Sequence, residues 1–227
     1  MKFASSLLDF FLPRFCASCN TKLPPDEHIV CNNCFSKIKR ADEDRINAEF
    51  TKKFAHDKII SSFTSLFIFE KDKELQSIIH ELKYGGKFGI GKYLGEIIAR
   101  ELNQQIRDWR IDLIVPVPLH HLKRAERGYN QSDFLAKGIS SVLKIPVKSR
   151  IVKRVRFTST QTELTLVQRK ENVRNAFALR GKPKLNGQNI LLLDDVITTG
   201  ATTSECAKVL VDNGAKKVYA CSVAIAE

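Results

Sequence analysis

The chain has 227 residues, 43% of them hydrophobic, and a formal charge of +12. That length suits one main domain plus an appendage. The composition is that of a globular chain rather than a disordered or fibrous one, and no apolar run approaches the roughly 18 residues of a membrane span.

Residues 1–12 carry one Lys and an apolar patch interrupted by Asp9, with no small-residue cleavage site after them. They read as an amphipathic helix packed on the body, not a signal peptide, and the expected location is the cytoplasm. Next come Cys16-x-x-Cys19 and Cys31-x-x-Cys34, separated by eleven residues that include Pro24 and Pro25. Two such pairs suit a tetrahedral thiolate site, because each knuckle turn aims two sulfurs at one point. Disulfides are the alternative, but a reducing compartment disfavours them. Structural Zn²⁺ on Cys16, Cys19, Cys31 and Cys34 is therefore expected, with His28 as a spare ligand. A segment this small has little core of its own, so the metal would stabilise its fold directly. Cys206 and Cys221 stand in apolar surroundings and read as core.

Residues 37–58 are charged and free of Gly and Pro, which predicts a helix-rich linker. The expected division is therefore 1–55 for the amphipathic helix, four-Cys module and linker, and 56–227 for the main domain. Residues 59–69 are rich in β-branched and aromatic side chains and predict a strand. Leu75, Ile78, Ile79 and Leu82 have helical spacing, ending at Tyr84-Gly85-Gly86. A second helix is expected over 88–106, with Leu94, Ile97, Ile98 and Leu102 facing inward.

Residues 111–117 predict the next buried strand, stopped by Pro116 and Pro118. Open parallel sheets bind ligands at that carboxyl edge. The basic segment 120–131 is expected to be a loop leading into a helix over 131–143. It suits an anion such as pyrophosphate, with Pro118, Leu119, His120, Arg127, Gly128 and Tyr129 as candidates. A basic run follows at 150–156, then a polar, poorly patterned stretch from Thr158. Between His120 and Lys184, sixteen Lys or Arg against four Asp or Glu give +12, equal to the charge of the whole chain. A field so concentrated attracts polyanions. Lys153, Arg154 and Arg156 are the candidates for nucleic-acid contact, and Tyr129, Phe134 and Phe157 for stacking.

The most informative stretch is Ile-Leu-Leu-Leu-Asp-Asp-Val-Ile-Thr-Thr-Gly-Ala-Thr, residues 190–202. Four apolar residues predict a central buried strand, Asp194 and Asp195 stand where it should end, and a helix is expected from Thr203 with Gly214 as its stop. Backbone N–H groups at a helix N-terminus, its dipole and threonine hydroxyls together cradle a phosphate dianion. Two carboxylates beside such a cradle need another partner, and vicinal hydroxyls with a divalent cation nearby supply one. The segment thus reads as a ribose 5-phosphate site. A plain βα turn with a capping Asp would leave the acid pair unexplained.

This stretch resembles the 5-phosphoribosyl-1-pyrophosphate (PRPP) motif of type I phosphoribosyltransferases. The resemblance implies that Asp194 and Asp195 hold the ribose hydroxyls, with Mg²⁺, and that Thr198, Thr199, Gly200, Ala201 and Thr202 wrap the 5′-phosphate. It implies an α/β fold, a parallel-sheet core flanked by helices. Thr198 stands where purine-salvage members carry an acid, which points away from purine salvage. Pro116-x-Pro118 with Gly128-Tyr129 resembles the pyrophosphate loop of glutamine-dependent amidophosphoribosyltransferases, with Leu119-His120-His121 in place of Asp-Ser-Gly.

Taken with the four cysteines, Arg127-Gly128-Tyr129-Asn130-Gln131, Gln161-Thr162-Glu163-Leu164, Arg169 and Glu171 to Phe177, nearly the whole chain is similar to the ComF (ComFC) family of competence proteins. That resemblance implies PRPP binding and a part in the uptake of single-stranded DNA during natural transformation. It also implies a mobile hood loop near residues 168–177. Ribosyl transfer to an unknown acceptor is one alternative, and a zinc-module scaffold that recruits a helicase-like partner over a vestigial PRPP pocket is another. No base-recognition element follows the last expected strand, 217–224.

Overall fold

The computed structural model describes residues 13–157, 171–181 and 185–226. The expected N-terminal helix, the polar stretch 158–164 and Arg169 lie outside them, as do residues 168–170 of the expected hood. The centre is a parallel sheet of β1 (Ile60–Phe69), β6 (Lys217–Ala226), β5 (Asn189–Ile197) and β2 (Leu113–Pro116), in that spatial order. Its inner strands are covered on both faces, which is why β5 opens as an uninterrupted apolar run. Alternation then sorts the side chains. Leu191 and Leu193 enter one core and Ile190 and Leu192 the other.

The first core lies under α3 (Glu74–Tyr84), α4 (Gly89–Glu101) and α7 (Gln131–Leu143), and it also takes in Cys16, Cys34 and Ile38 from the N-terminal module. The second holds Phe54, Val152, Cys206 and Leu210. Phe54 follows directly on α2 (Glu43–Lys53), which begins where the Asp42 carboxylate accepts from Arg45 N at 2.8 Å. The expected linker 37–58 thus contains one helix, Glu43–Lys53, and its Ile46 and Phe54 help close the second core. A short helix, α1 (Asn32–Ser36), carries the second cysteine pair.

Four expectations are revised. The strand expected to stop at Leu193 runs on to Ile197, because β6 continues beside it and pairs Asp194 with Ser222 and Val196 with Ala224. The helix expected from Thr203 starts at Ala201 and ends at Val211 (α8 below), short of Gly214. The helix expected over 88–106 breaks at Leu102 into α4 and α5 (Asn103–Asp108). The basic segment expected to be a loop contains α6 (His121–Arg127), whose N-cap His120 accepts from Leu122 N at 3.4 Å. Its Leu-Lys-Arg-Ala-Glu-Arg sequence consists of good helix formers. The basic run after Arg150 forms β3 (Val152–Arg154), antiparallel to β4 (Phe177–Leu179). Among the described residues no helix is long and apolar enough to cross a membrane.

The position of α7, which matters for the site, is fixed by its contact with α4. A Cβ on Gly95 would lie 2.1 Å from Leu135 O, and one on Gly138 would lie 2.2 Å from Lys92 O. The two helices therefore touch backbone to backbone. Gly95→Ala should lower stability by roughly 1–3 kcal/mol through overpacking, against roughly 1 kcal/mol of improved helix propensity. Calorimetric melting is expected to show a drop of several degrees, and an unchanged Tm would contradict the contact.

Candidate functional site

Strand β2 ends at Pro116, opposite Leu193, and Val117 N makes a last bond to Leu193 O at 2.8 Å. Beyond that point β5 still has β6 on one side but, among the described residues, no strand on the other. The N-terminus of α7 fills the open flank. Gln131 Nε2 donates to Asp195 Oδ2 at 3.0 Å, and Ser132 Oγ donates to Asp194 Oδ1 at 3.2 Å. From the end of α3, Lys83 Nζ approaches Asp195 Oδ2 at 3.0 Å.

The two acids are consequently unlike. Burial lifts Asp194, the charge of Asp195 lifts it further, and it titrates at about 7. Burial acts on Asp195 in the same direction, but the Lys83 ammonium, with bonds from Val196 N and Gln131, outweighs it and keeps its carboxyl below the usual range. Asp195 is thus held in the charged form more firmly than its neighbour, which is pushed up to about 7.

After β5 the chain bends through residues 198–200 and enters α8 (Ala201–Val211). Gly200 has φ +77°, and a Cβ there would meet the Phe54 ring at 2.7 Å, so both backbone and packing call for glycine. No side chain caps α8 at Gly200, and Ala201 N finds the Thr199 hydroxyl at 3.4 Å. Thr198, Thr199 and Gly200 form the bend, while Ala201 and Thr202 are the first residues of the helix. Acid pair and helix start are thereby placed in sequence at one sheet edge.

The other candidates divide. Pro118, Leu119 and His120 lie just past β2, whereas Arg127, Gly128 and Tyr129 stand at the far end of α6, about 10 Å along a seven-residue helix. They do not form one loop. His120 is buried, which lowers its pKa. Arg127 donates to Tyr84 OH at 3.2 Å and lies over that ring, and Tyr129 OH donates to Leu82 O.

Of the nucleic-acid candidates, Lys153 is exposed. Arg154 alternates inward, 5.4 Å over the Phe177 ring and within the field of Asp194. Arg156 donates to the Glu171 and Asn172 carbonyls at 2.9 and 2.7 Å, tying the ribbon together. Tyr129 and Phe134 pack with Phe88, and the well-exposed rings among the described residues are Phe15, Tyr84, Phe88 and Phe157. Sequence reasoning missed Lys83 and Ser132 and gave Gln131 no role. Lys83 carried one usable signal, its place directly before Tyr84-Gly85-Gly86 at a helix end.

Cys16, Cys19, Cys31 and Cys34 converge, their sulfurs all within 4.8 Å of one another, and could hold a metal ion. Backbone N–H groups of Ser18 and Cys31 point at Cys16 Sγ at 3.4 and 3.3 Å, and Cys34 N points at Cys31 Sγ at 3.4 Å. Such bonds favour thiolates, so the donor set fits a soft or borderline cation. His28 lies outside the cluster, engaged with Arg14. Cys206 and Cys221 are fully buried, as expected of core thiols.

No family model matches the chain. It is 36% identical over 148 residues to competence protein F of Haemophilus influenzae, covering 63% of this chain and 65% of that protein. It is 37% identical over 147 residues to the DNA utilization protein YhgH of Escherichia coli K12, covering 63% and 64%. The chain is thus similar to competence protein F and YhgH over a little under two thirds of its length. The matched stretch is less than two thirds of either relative's length. Amidophosphoribosyltransferase of Haemophilus influenzae is 31% identical over 147 residues, 62% of this chain and 25% of that one. The parallel sheet flanked by helices, with four cysteines clustered near the N-terminus, is the expected phosphoribosyltransferase-type architecture. Among solved structures, the glutamine PRPP amidotransferase from B. subtilis is 20% identical, with a TM-score of 0.40 over 68% of this chain and 29% of that one.

The raised Asp194 makes stability pH-dependent. Its contribution is complete below the unfolded value of 3.8 and is lost as pH rises through about 7. Asp195, lowered, contributes above its unfolded value and fails only in stronger acid. The ligand-free Tm should therefore fall between about pH 5 and about pH 8. Asp194→Asn should flatten that slope, and equal slopes in melting curves would contradict the assignment.

Proposed function

We propose that this competence protein F relative binds PRPP with Mg²⁺ and handles single-stranded DNA during natural transformation. The observation that carries the PRPP reading is the acid pair on the strand end that leads straight into an uncapped helix start. Asp194 and Asp195 would take the ribose hydroxyls and residues 198–202 the 5′-phosphate. The donor set fits a magnesium–diol arrangement once Lys83 releases Asp195, and its ammonium is then placed to meet the phosphates of the incoming ligand. Bound Mg²⁺ would supply charge neutralisation. The chain's own part is to orient the diol and to surrender the Asp194 proton.

The DNA reading rests on the basic central region and on the names of the relatives. Their printed names, competence and DNA utilization, agree with it. The thiol cluster is read as a structural Zn²⁺ site, and in the scaffold alternative that module would recruit a helicase-like partner. Six free cysteines favour a reducing location, the cytoplasm.

Calorimetry with PRPP and Mg²⁺ is expected to show binding that strengthens as pH rises through about 7 and weakens at least roughly tenfold in Asp194→Asn with Asp195→Asn. Unchanged affinity in the double variant would sink the reading. Pyrophosphate release in the presence of candidate bases and amines separates turnover from binding alone. Metal analysis should return one zinc per chain, lost together with several degrees of Tm in Cys16→Ser with Cys34→Ser. For single-stranded DNA, log affinity should fall steeply with log salt. Lys153→Ala should shallow that slope by about one, whereas Arg156→Ala should chiefly lower Tm.

A further inference from the structure

A second concave site lies away from the acid pair. A cavity of about 310 Å³ sits between α6, the start of α7 and the β3–β4 ribbon. Arg124, Arg150, Lys153, Arg154 and Arg180 line it, and no Asp or Glu does. Neither acid of the pair lines it, nor does any residue of the 198–202 turn. Arg124 leans toward Asp133 at 3.6 Å, while Arg150, Lys153 and Arg180 have no acidic partner among the described residues.

Like charges gathered on a concave wall repel one another, and that wall concentrates their field on whatever enters. The size limits the guest. At the low end of small-molecule pockets, which run from about 300 to 1,000 Å³, the cavity holds one nucleotide and not a passing strand. The charge limits it further. A monoester phosphate carries about −1.5 to −2, against one charge for a backbone diester, and guanidinium forks match its oxygens two at a time. Asn130, 3% exposed, also lines the cavity. Its amide nitrogen is spent on Val117 O and Asp133, and its Oδ1 has no hydrogen-bond partner among the described residues.

We propose that this cavity binds the phosphate monoester of a nucleotide, either free or at the end of a single strand, while the acid-pair site is separately occupied. The cavity shares Pro118 and Leu119, at the end of β2, with the pyrophosphate candidates, and Arg154 in its wall feels the charge of Asp194.

The test uses the full-length protein and a fluorescent thymidine oligomer with a phosphate or a hydroxyl at its terminus, with saturating Mg²⁺ and PRPP present or absent. The phosphorylated oligomer should bind roughly tenfold more tightly than its hydroxyl twin. Arg150→Ala with Arg180→Ala, both on exposed side chains, should abolish that preference without moving Tm, and Asp194→Asn should leave it in place. Competition by thymidine monophosphate but not by thymidine identifies the free nucleotide as a ligand. Preference for the phosphorylated oligomer without such competition identifies the strand end. Equal binding of the two oligomers would overturn the proposal. So would displacement of the phosphorylated oligomer by PRPP, since the cavity would then be the seat of PRPP's own pyrophosphate.

Discussion

The pairing of β5 with β6 beyond the end of β2 is the constraint on which the rest depends. Because β6 goes on supplying backbone partners as far as Ile225, Asp194 and Asp195 are held inside a ladder instead of on a free loop. Because β2 has already stopped, the side they face has, among the described residues, no strand. Ladder and gap together hold the two acids in fixed positions beside the N-terminus of α7.

Two neighbouring carboxylates in that position would repel each other, and the protein resolves this asymmetrically. Lys83 and Gln131 attend to Asp195, leaving Asp194 with a hydroxyl, a strand N–H and a proton near neutrality. Whatever replaces Lys83 at Asp195 must be a hydrogen-bond donor, and whatever neutralises the pair removes the reason for Asp194 to keep its proton. Helix α7 supplies two of these contacts and is itself set by the glycine contact with α4. The chemistry of the edge is thus linked to a helix crossing some distance away.

The positive charge divides in a similar way. Arg154 and Arg156 are drawn into the fold of the ribbon, one over Phe177 and the other on backbone carbonyls, whereas Lys153, Arg150 and Arg180 remain at the surface around one concavity. Net charge gave the sign of the field. Alternation along β3 decided which of its members reach solvent.

The sequence by itself determined the elements and their chemistry. The apolar run, the acid pair and the Thr-Thr-Gly turn lie in one continuous stretch, where local periodicity and turn chemistry suffice, and the paired cysteines announce their convergence by spacing. It also located α7 at the right residues, since hydrophobic period and helix length agreed there. What only the tertiary structure decided involves residues far apart in the chain. Where β5 ends depends on β6, not on the residues of β5. Lys83 meets Asp195 across more than a hundred positions, and nothing near Lys83 encodes that meeting. The segment after Pro118 was misread because basic residues are also good helix formers, and His120, buried against the ribbon, caps the helix from a position that sequence assigned to a ligand. Contacts of that kind depend on how surfaces meet, and a one-dimensional pattern carries no record of the meeting.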